Sequence, residues 1–510
     1  MKKFNHENVI RSCAVCVAVL MFAACDQSNE VTTESASVDT SKIPVTTSSD
    51  AARELFLEGR ALLDDLHFVE ANGVFASAVK EDPDFAMGHA MSATTALTAE
   101  AFFDAIAKAD AAAANASEGE QVFIQALVAG SQNDQVAQRE ALEELIALYP
   151  KDERSHMQLG NYLNGLQDFA GAAEHYSHAI AINPDFASAH NSLGYAHRAM
   201  EDFDKAKAAF SKYIALIPDE ANPYDSYAEL LMEMGNYDES IEQYEKALAI
   251  DPYFAASFAG ISTNQSLKGN HDRAQEAADR MLAAARNFAE RQGALFQSAR
   301  AYLFAGDTEA AMKVSEMMLG EAEVKRSHAA MGGIYEYMGD AMMTASEAAK
   351  AAEHYAAALD HRQRSSINDA NKAQAQRTYL FKTSIAAMIG DDLETATAKA
   401  TEYSAAAEAY GTAFEKRRIH ELDGFLAMFN EDNSGAAEHL GMASQLNPIV
   451  LYWSAVAESE IGNSERAAEL AERAANRNTL SANLPFFRQD AIRLLDELQS
   501  PDAGDTEEAE

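Results

Sequence analysis

The sequence predicts an all-α chain built as an array of helical hairpins, and three observations carry that reading. Prolines fall at 150, 184, 218 and 252, each 34 residues after the last, and a fixed period in this range marks a repeat array. Apolar residues make up 48% of the chain, much of it alanine, with few of the Val/Ile/Thr runs that build strands. At 510 residues the chain exceeds the roughly 250–300 residues at which single cores stop growing, so it holds several domains or an array.

The N-terminus reads as a leader rather than as part of the fold. "MKKFNHENVIR" is basic, and "SCAVCVAVLMFAA" is an apolar run of 13 residues, too short to span a bilayer. It ends in "FAAC" (Phe22-Ala23-Ala24-Cys25), which resembles the bacterial lipobox, with Phe22 where leucine or valine is usual. The resemblance implies a signal peptide over 1–24 and a lipidated Cys25 in the cell envelope, and leaves inner and outer membrane open. Cys13 and Cys16 would leave with the leader, so no thiol chemistry is expected in the folded part. Residues 26–50 contain eleven Ser or Thr and little to bury, and so predict a flexible tether.

The repeats follow. From 153 the recurring residues are Leu159-Gly160, Ala172, Tyr176, Ala179 and Pro184. From 187 they are Leu193-Gly194, Ala206, Phe210 and Pro218, and from 221 Tyr227-Ala228, Gly235, Ser240, Tyr244, Ala247 and Pro252. This pattern resembles the tetratricopeptide repeat, W-x₂-L-G-x₂-Y, then A-x₃-F, then P. The resemblance implies a right-handed α-solenoid of helix-turn-helix hairpins. Small residues at positions 8 and 20 let the two helices approach, the aromatic at 24 is expected between neighbouring hairpins, and proline at 32 ends helix B.

Backward, Leu55, Gly59, Ala71, Phe75, Ala78 and Pro83 extend the register; forward, "GNHDRA", "AGDTEAA", "MGD", "IGDDLETA" and "IGNSERAAELA" read as inter-helix turns. About twelve hairpins result: a regular array over 52–290 and a less regular one over 291–481, with seven extra residues expected between 325 and 375 before helix B resumes at Ala351. A capping helix (482–499) and an acidic, disordered tail (500–510) complete the chain.

Candidate sites are weighed against this frame. His89, His156, His190, His328 and His420 read as position 4, a packing position, and His175 with His178 as a solvated pair, so no metal site is expected. None of the sequence signatures of nucleophilic, phosphate-binding or metalloprotease sites appears, which predicts a non-enzymatic protein without cofactor. "GDDLE" and "NEDNSG" read as turns rather than calcium loops.

In the family, ligands bind the groove lined by helix A. Its candidate residues here are Arg154, Met157, Asn161, Asn191, Tyr195, Arg198, Asp225, Glu229 and Met232. Asparagine amides can hold a peptide backbone. With Arg154 and Arg198 followed by Asp225 and Glu229, a clamp on a terminal carboxylate fits poorly and a ligand with a basic portion fits better. Eighty acidic against 40 basic residues, a formal charge of −40, exclude nucleic acid as the natural partner. The expected function is a membrane-anchored, periplasm-facing scaffold for other envelope proteins or peptides. Two competing readings are a glycan-binding helical lipoprotein of the starch-utilisation type, which would need Trp453 and tyrosines in an exposed platform, and an enzyme with perturbed carboxylates or histidines in a pocket.

Overall fold

The computed structural model describes residues 41–96, 99–132, 134–367, 369–480 and 484–499. The expected signal peptide, Cys25, most of the tether and the acidic tail lie outside the described residues. Among the described residues the chain is all α, with 25 helices paired as hairpins. They run α1 (Asp50–Asp64), α2 (Phe68–Glu81), α3 (Ala86–Thr94), α4 (Ala99–Ala112), α5 (Glu118–Ser131), α6 (Gln135–Leu148), α7 (Glu153–Gly165) and α8 (Phe169–Ile182). Then come α9 (Ala187–Ala199), α10 (Phe203–Leu216), α11 (Ala221–Glu233), α12 (Tyr237–Ile250), α13 (Ala255–Leu267), α14 (His271–Ala284), α15 (Phe288–Phe304) and α16 (Thr308–Val324). The last are α17 (His328–Thr344), α18 (Ala348–Arg364), α19 (Asp369–Ile389), α20 (Leu393–Tyr410), α21 (Ala413–Phe429), α22 (Asn433–Met442), α23 (Pro448–Glu460), α24 (Ser464–Asn476) and α25 (Leu484–Gln499). The helices divide into two compact units, with the boundary inside α11 between Leu230 and Leu231.

One contact recurs in hairpin after hairpin. Gly59, Gly160, Gly194, Gly339 and Gly424 lie under Phe75, Tyr176, Phe210, Tyr355 and Leu440, the same interval along the chain each time. A Cβ added at Gly59, Gly160, Gly194 or Gly424 would stand 2.8, 2.6, 2.7 or 2.6 Å from that side chain. The large residue therefore caps the glycine of its own hairpin; Tyr244 instead covers Gly260 of the next. The turns repeat too. Gln167, Glu201, Gly235, Gly269, Gly306, Ser346, Asp391, Glu431 and Gly462 each adopt positive φ, the left-handed residue that ends a helix. Asp168, Asp202, Asp307, Asp392 and Asp432 then cap helix B by accepting a backbone N–H.

The second half departs from the sequence reading in a defined way. "MGD" is not a turn: Gly339 is inside α17, and the turn holds Ser346. The glycine is there for close approach of Tyr355, not for its φ. Helices α17 and α18 have 17 residues each, against 13 and 14 in α7 and α8. Counted from the Gly339/Tyr355 contact, the added residues sit at the start of helix A and the end of helix B. The hairpin is thus one turn longer at its open end, with no insertion at the turn. His328 consequently lies before position 4, which Tyr335 occupies, its ring stacked on His361 at 5.3 Å. Helix α25 packs on α23, α24 and α15. Beside it Asn478 Nδ2 donates to the Glu233 carbonyl at 3.3 Å and Arg488 to Tyr237 Oη at 3.4 Å, so this segment returns to the start of its unit as well as covering the last hairpin.

Residues 42–49, expected as tether, are held against the first unit. The amides of Ile43, Thr46 and Ser48 donate to Asp152 Oδ2 (2.9 Å), Glu120 Oε1 (2.8 Å) and Asp82 Oδ2 (2.9 Å). The Thr47 hydroxyl also donates to Asp82, Lys42 pairs with Glu153, and Ile43 and Val45 pack on the apolar core. The cause lies in the acceptors. All four of Asp82, Glu120, Asp152 and Glu153 are buried; Glu120, Asp152 and Glu153 lie at the starts of α5 and α7, where the helix ends favour negative charge, and Asp82 is the C-cap of α2. A buried carboxylate must find donors, and this strap supplies them.

Two outcomes are expected. Gly194→Ala forces a methyl against the fully buried Phe210 ring and should destabilise the array by about 1–3 kcal/mol in chemical denaturation. The strap should loosen in acid. The Thr47 hydroxyl and the Ser48 amide hold the Asp82 carboxyl below its ordinary 3.8. At Glu153 burial pushes the carboxyl up, but the Lys42 bond and Arg154 outweigh it and the net shift is downward. A depressed carboxyl contributes stability that is complete above its unfolded pKa and is lost as pH falls through the folded value. The hydrogen-exchange protection factor at Ser48, whose amide donates to Asp82, should therefore hold down to about pH 4 and fall below it; protection that persists in stronger acid would show that this carboxylate is not the hold.

Candidate functional site

The expected groove residues lie on α7, α9 and α11, the first helices of three successive hairpins. All except Met232 belong to the first unit. Around α9 and α11 the structure brings several together. Tyr195 Oη donates to Ser226 Oγ at 3.2 Å, and Ser226 to Asn222 Oδ1 at 3.1 Å. Arg198 Nη1 meets Glu229 Oε2 at 2.7 Å, while its guanidinium lies 4.5 Å above the Tyr195 ring, which in turn meets Phe210 edge-on. Burial, then the Glu229 charge, pushes the Tyr195 phenol well above its ordinary value. These residues tie one repeat to the next.

Arg154 is engaged in the same manner. Its guanidinium pairs with Asp64 and, at 2.6 Å, with Glu153 Oε1, and lies over the Phe186 ring. Burial works against its charge, yet Asp64 and Glu153 raise its pKa. Both groove arginines are thus committed to carboxylates of this chain, which leaves neither to clamp the carboxylate of a ligand. Met157 is half-buried against the core.

Two expected residues are not presented to a ligand. Met232 is 1% exposed and sits in the run Leu230–Met232, buried on all sides; Asp225 is buried as well. Position counting placed them in the groove, but the last turns of α11 are covered on every face.

The asparagines differ. Asn161 is exposed and accepts from Tyr176 Oη at 3.0 Å. With Gln158, Tyr162, Phe123, Leu127 and Leu142 it lines a pocket of about 200 Å³ between α5, α6 and α7, apolar at the base with amides at the rim. Asn191 Oδ1 is buried with no hydrogen-bond partner among the described residues. The pocket can take a side chain; the Asn191 oxygen is closed off from solvent. Sequence reasoning missed Asp82, Glu120, Asp152 and Glu153, the acids that grip the strap; the signal for three of them was an acidic residue at the start of a helix, Glu120 in α5 and Asp152-Glu153 at α7.

The competing sites resolve as follows. Trp453 is buried in the second unit's core, edge-on to Tyr452 at 4.8 Å, and is no platform for a sugar. Perturbed carboxylates do converge in that unit. Lys382 Nζ stands 2.8 and 2.9 Å from the Asp340 oxygens and 3.1 Å from Glu336 Oε1, and Tyr355 Oη donates to Asp340. Burial pushes the Asp340 carboxyl up to about 7 against the pull of Lys382. Both Lys382 and Asp340 are 2% exposed, so the cluster is an interior ion network closed to substrate.

His89 and His190 fill the structural role expected, each bonding through Nε2 to a proline carbonyl six residues back, Pro83 at 2.8 Å and Pro184 at 2.9 Å. His175 and His178 are more than a solvated pair, for both rings pack on His156, with centroids 5.5 and 5.2 Å away.

Family models described as TPR repeat and tetratricopeptide repeat match residues 160–201, 187–220 and 221–254. No curated protein matches the sequence. Among solved structures, a tetratricopeptide repeat protein from Parabacteroides merdae ATCC 43184 is similar at 15% identity and a TM-score of 0.37, over 51% of this chain and 98% of its own. The Cut9–Hcn1 hetero-tetramer of the APC/C gives 13% identity and 0.39 over 85% of this chain and 78% of its own. YrrB, a TPR protein with an unusual peptide-binding site, gives 14% and 0.27 over 36% and 93%. Residues 160–254 are thus matched as tetratricopeptide repeats, and the same glycine-under-ring hairpin recurs from Gly59 to Gly424 along the array.

Proposed function

We propose that the chain is a lipid-anchored scaffold facing the periplasm, which binds extended segments of other envelope proteins, non-covalently and without a cofactor, along the first helices of its hairpins. The observation that carries this reading is the strap. Its backbone amides at 43, 46 and 48 are held by carboxylates from three hairpins, so the surface chemistry for an extended chain exists on this array. Main-chain bonds of this kind give affinity, while pockets give specificity. The Asn161 pocket lies on α5, α6 and α7, beside the helices that hold the strap. A net charge of −40 favours a segment with a basic portion, as Lys42 is in the strap. The anchor rests on "FAAC" and its Cys25.

Two measurements test the two parts separately. In cross-linked pull-down from envelope fractions, Asn161→Ala should lower recovery of the main partner at least tenfold, about 1.4 kcal/mol, with an unchanged helical circular dichroism spectrum; full recovery would move the binding surface elsewhere. Mass analysis of the mature N-terminus should find an acylated Cys25, and Cys25→Ala should release the protein from membranes. An unmodified N-terminus further along the chain would remove the anchor and leave the binding reading standing.

A further inference from the structure

The α21/α22 hairpin assembles three ligand-type side chains that the sequence does not place together. His420 and Asp423 are neighbours on one face of α21, at i and i+3, and His439 of α22 faces them. His420 Nδ1 and His439 Nδ1 are 3.3 Å apart, and Asp423 Oδ2 is 3.9 Å from His439 Nδ1. Zinc–nitrogen bonds of about 2.0–2.1 Å in a tetrahedron place two ligand atoms about 3.3 Å apart. The two ring nitrogens already stand at that edge length.

The third ligand distinguishes this hairpin. His156/His175 and His328/His361 also bring two Nδ1 atoms together, at 3.2 and 2.9 Å. Among the described residues, however, only His420, Asp423 and His439 bring three ligand atoms within 4.8 Å of one another. All three are half-buried, so solvent and ions reach them. Burial raises the Asp423 carboxyl while both histidines draw it down, and the Glu408 charge adds to the negative field around it.

We propose that His420 Nδ1, His439 Nδ1 and the Asp423 carboxylate bind a divalent transition-metal ion of the zinc class, clasping helix A to helix B of this repeat. Two imidazoles and a carboxylate suit such an ion. Each imidazole binds as the neutral tautomer with its proton on Nε2. Three protein ligands leave a coordination position for water or for a donor from another molecule. Without an ion, the two facing nitrogens share one proton as an ordinary hydrogen bond, and the experiment separates these cases.

The whole protein, stripped of metal by a chelator, is titrated with Zn²⁺ by calorimetry. His439→Gln should take up one equivalent fewer than the wild type. Asp423→Asn should bind that equivalent more weakly by at least the roughly 10–100-fold that loss of an outer-shell partner costs. His175→Gln should leave it intact, which separates this site from the histidines of α7 and α8. Matching circular dichroism and denaturation midpoints of the metal-free proteins establish that the variants fold, and Asp423→Asn serves if His439→Gln does not. Titrations of His439→Gln or Asp423→Asn that match the wild type in both equivalents and affinity would overturn the proposal.

Discussion

The architecture depends on how closely helix A and helix B of one hairpin approach. That distance is set where a buried ring or leucine lies flat on a residue without a side chain, as Phe210 does on Gly194 and Tyr355 on Gly339. Interiors packed at crystal-like density have no room for a methyl there. Because the interval between the two residues never changes, each hairpin is registered at the same height, and everything further from this contact is free to vary. The turn varies between glycine and six non-glycine residues at positive φ among the described residues; the open end varies in length by a turn.

This explains why the second half looks irregular without being differently built. Added residues before Gly339 and after Tyr355 lengthen both helices away from the turn. Buried charge also ties these helices together: Lys382 with Asp340 and Glu336, Arg377 with Glu415 at 2.6 Å, Tyr403 donating to Glu415. Ion pairs buried this deeply contribute little net stability but are very costly to break singly. They hold the longer helices to one arrangement.

The fold was legible because its main constraint is local and periodic. Glycine, aromatic and proline recur at fixed spacing, and spacing survives in one dimension. The errors came where one residue type serves two purposes. Gly339 in "MGD" satisfies the turn pattern but is needed under a ring, and that single misreading displaced the extra residues and put His328 at position 4. The groove was less legible. Asn161 is exposed as expected, but counting along helix A cannot tell that Arg154 and Arg198 are neutralised by Asp64, Glu153 and Glu229. It also cannot tell that Met232 faces inward. Those facts depend on contacts between repeats.

The strap shows what composition alone conceals. A Ser/Thr-rich run with little to bury reads as disordered because it lacks the apolar surface to offset chain entropy. What fixes residues 42–49 is a need on the other side, for Asp82, Glu120, Asp152 and Glu153 are buried carboxylates whose oxygens require donors. Such a need is not specific to this sequence. Any extended chain offering backbone N–H groups, and a cation near Glu153, meets it equally well. Three of these acids, Glu120, Asp152 and Glu153, belong to the starts of α5 and α7, so the extended run of the strap is fixed at the first helices of consecutive hairpins.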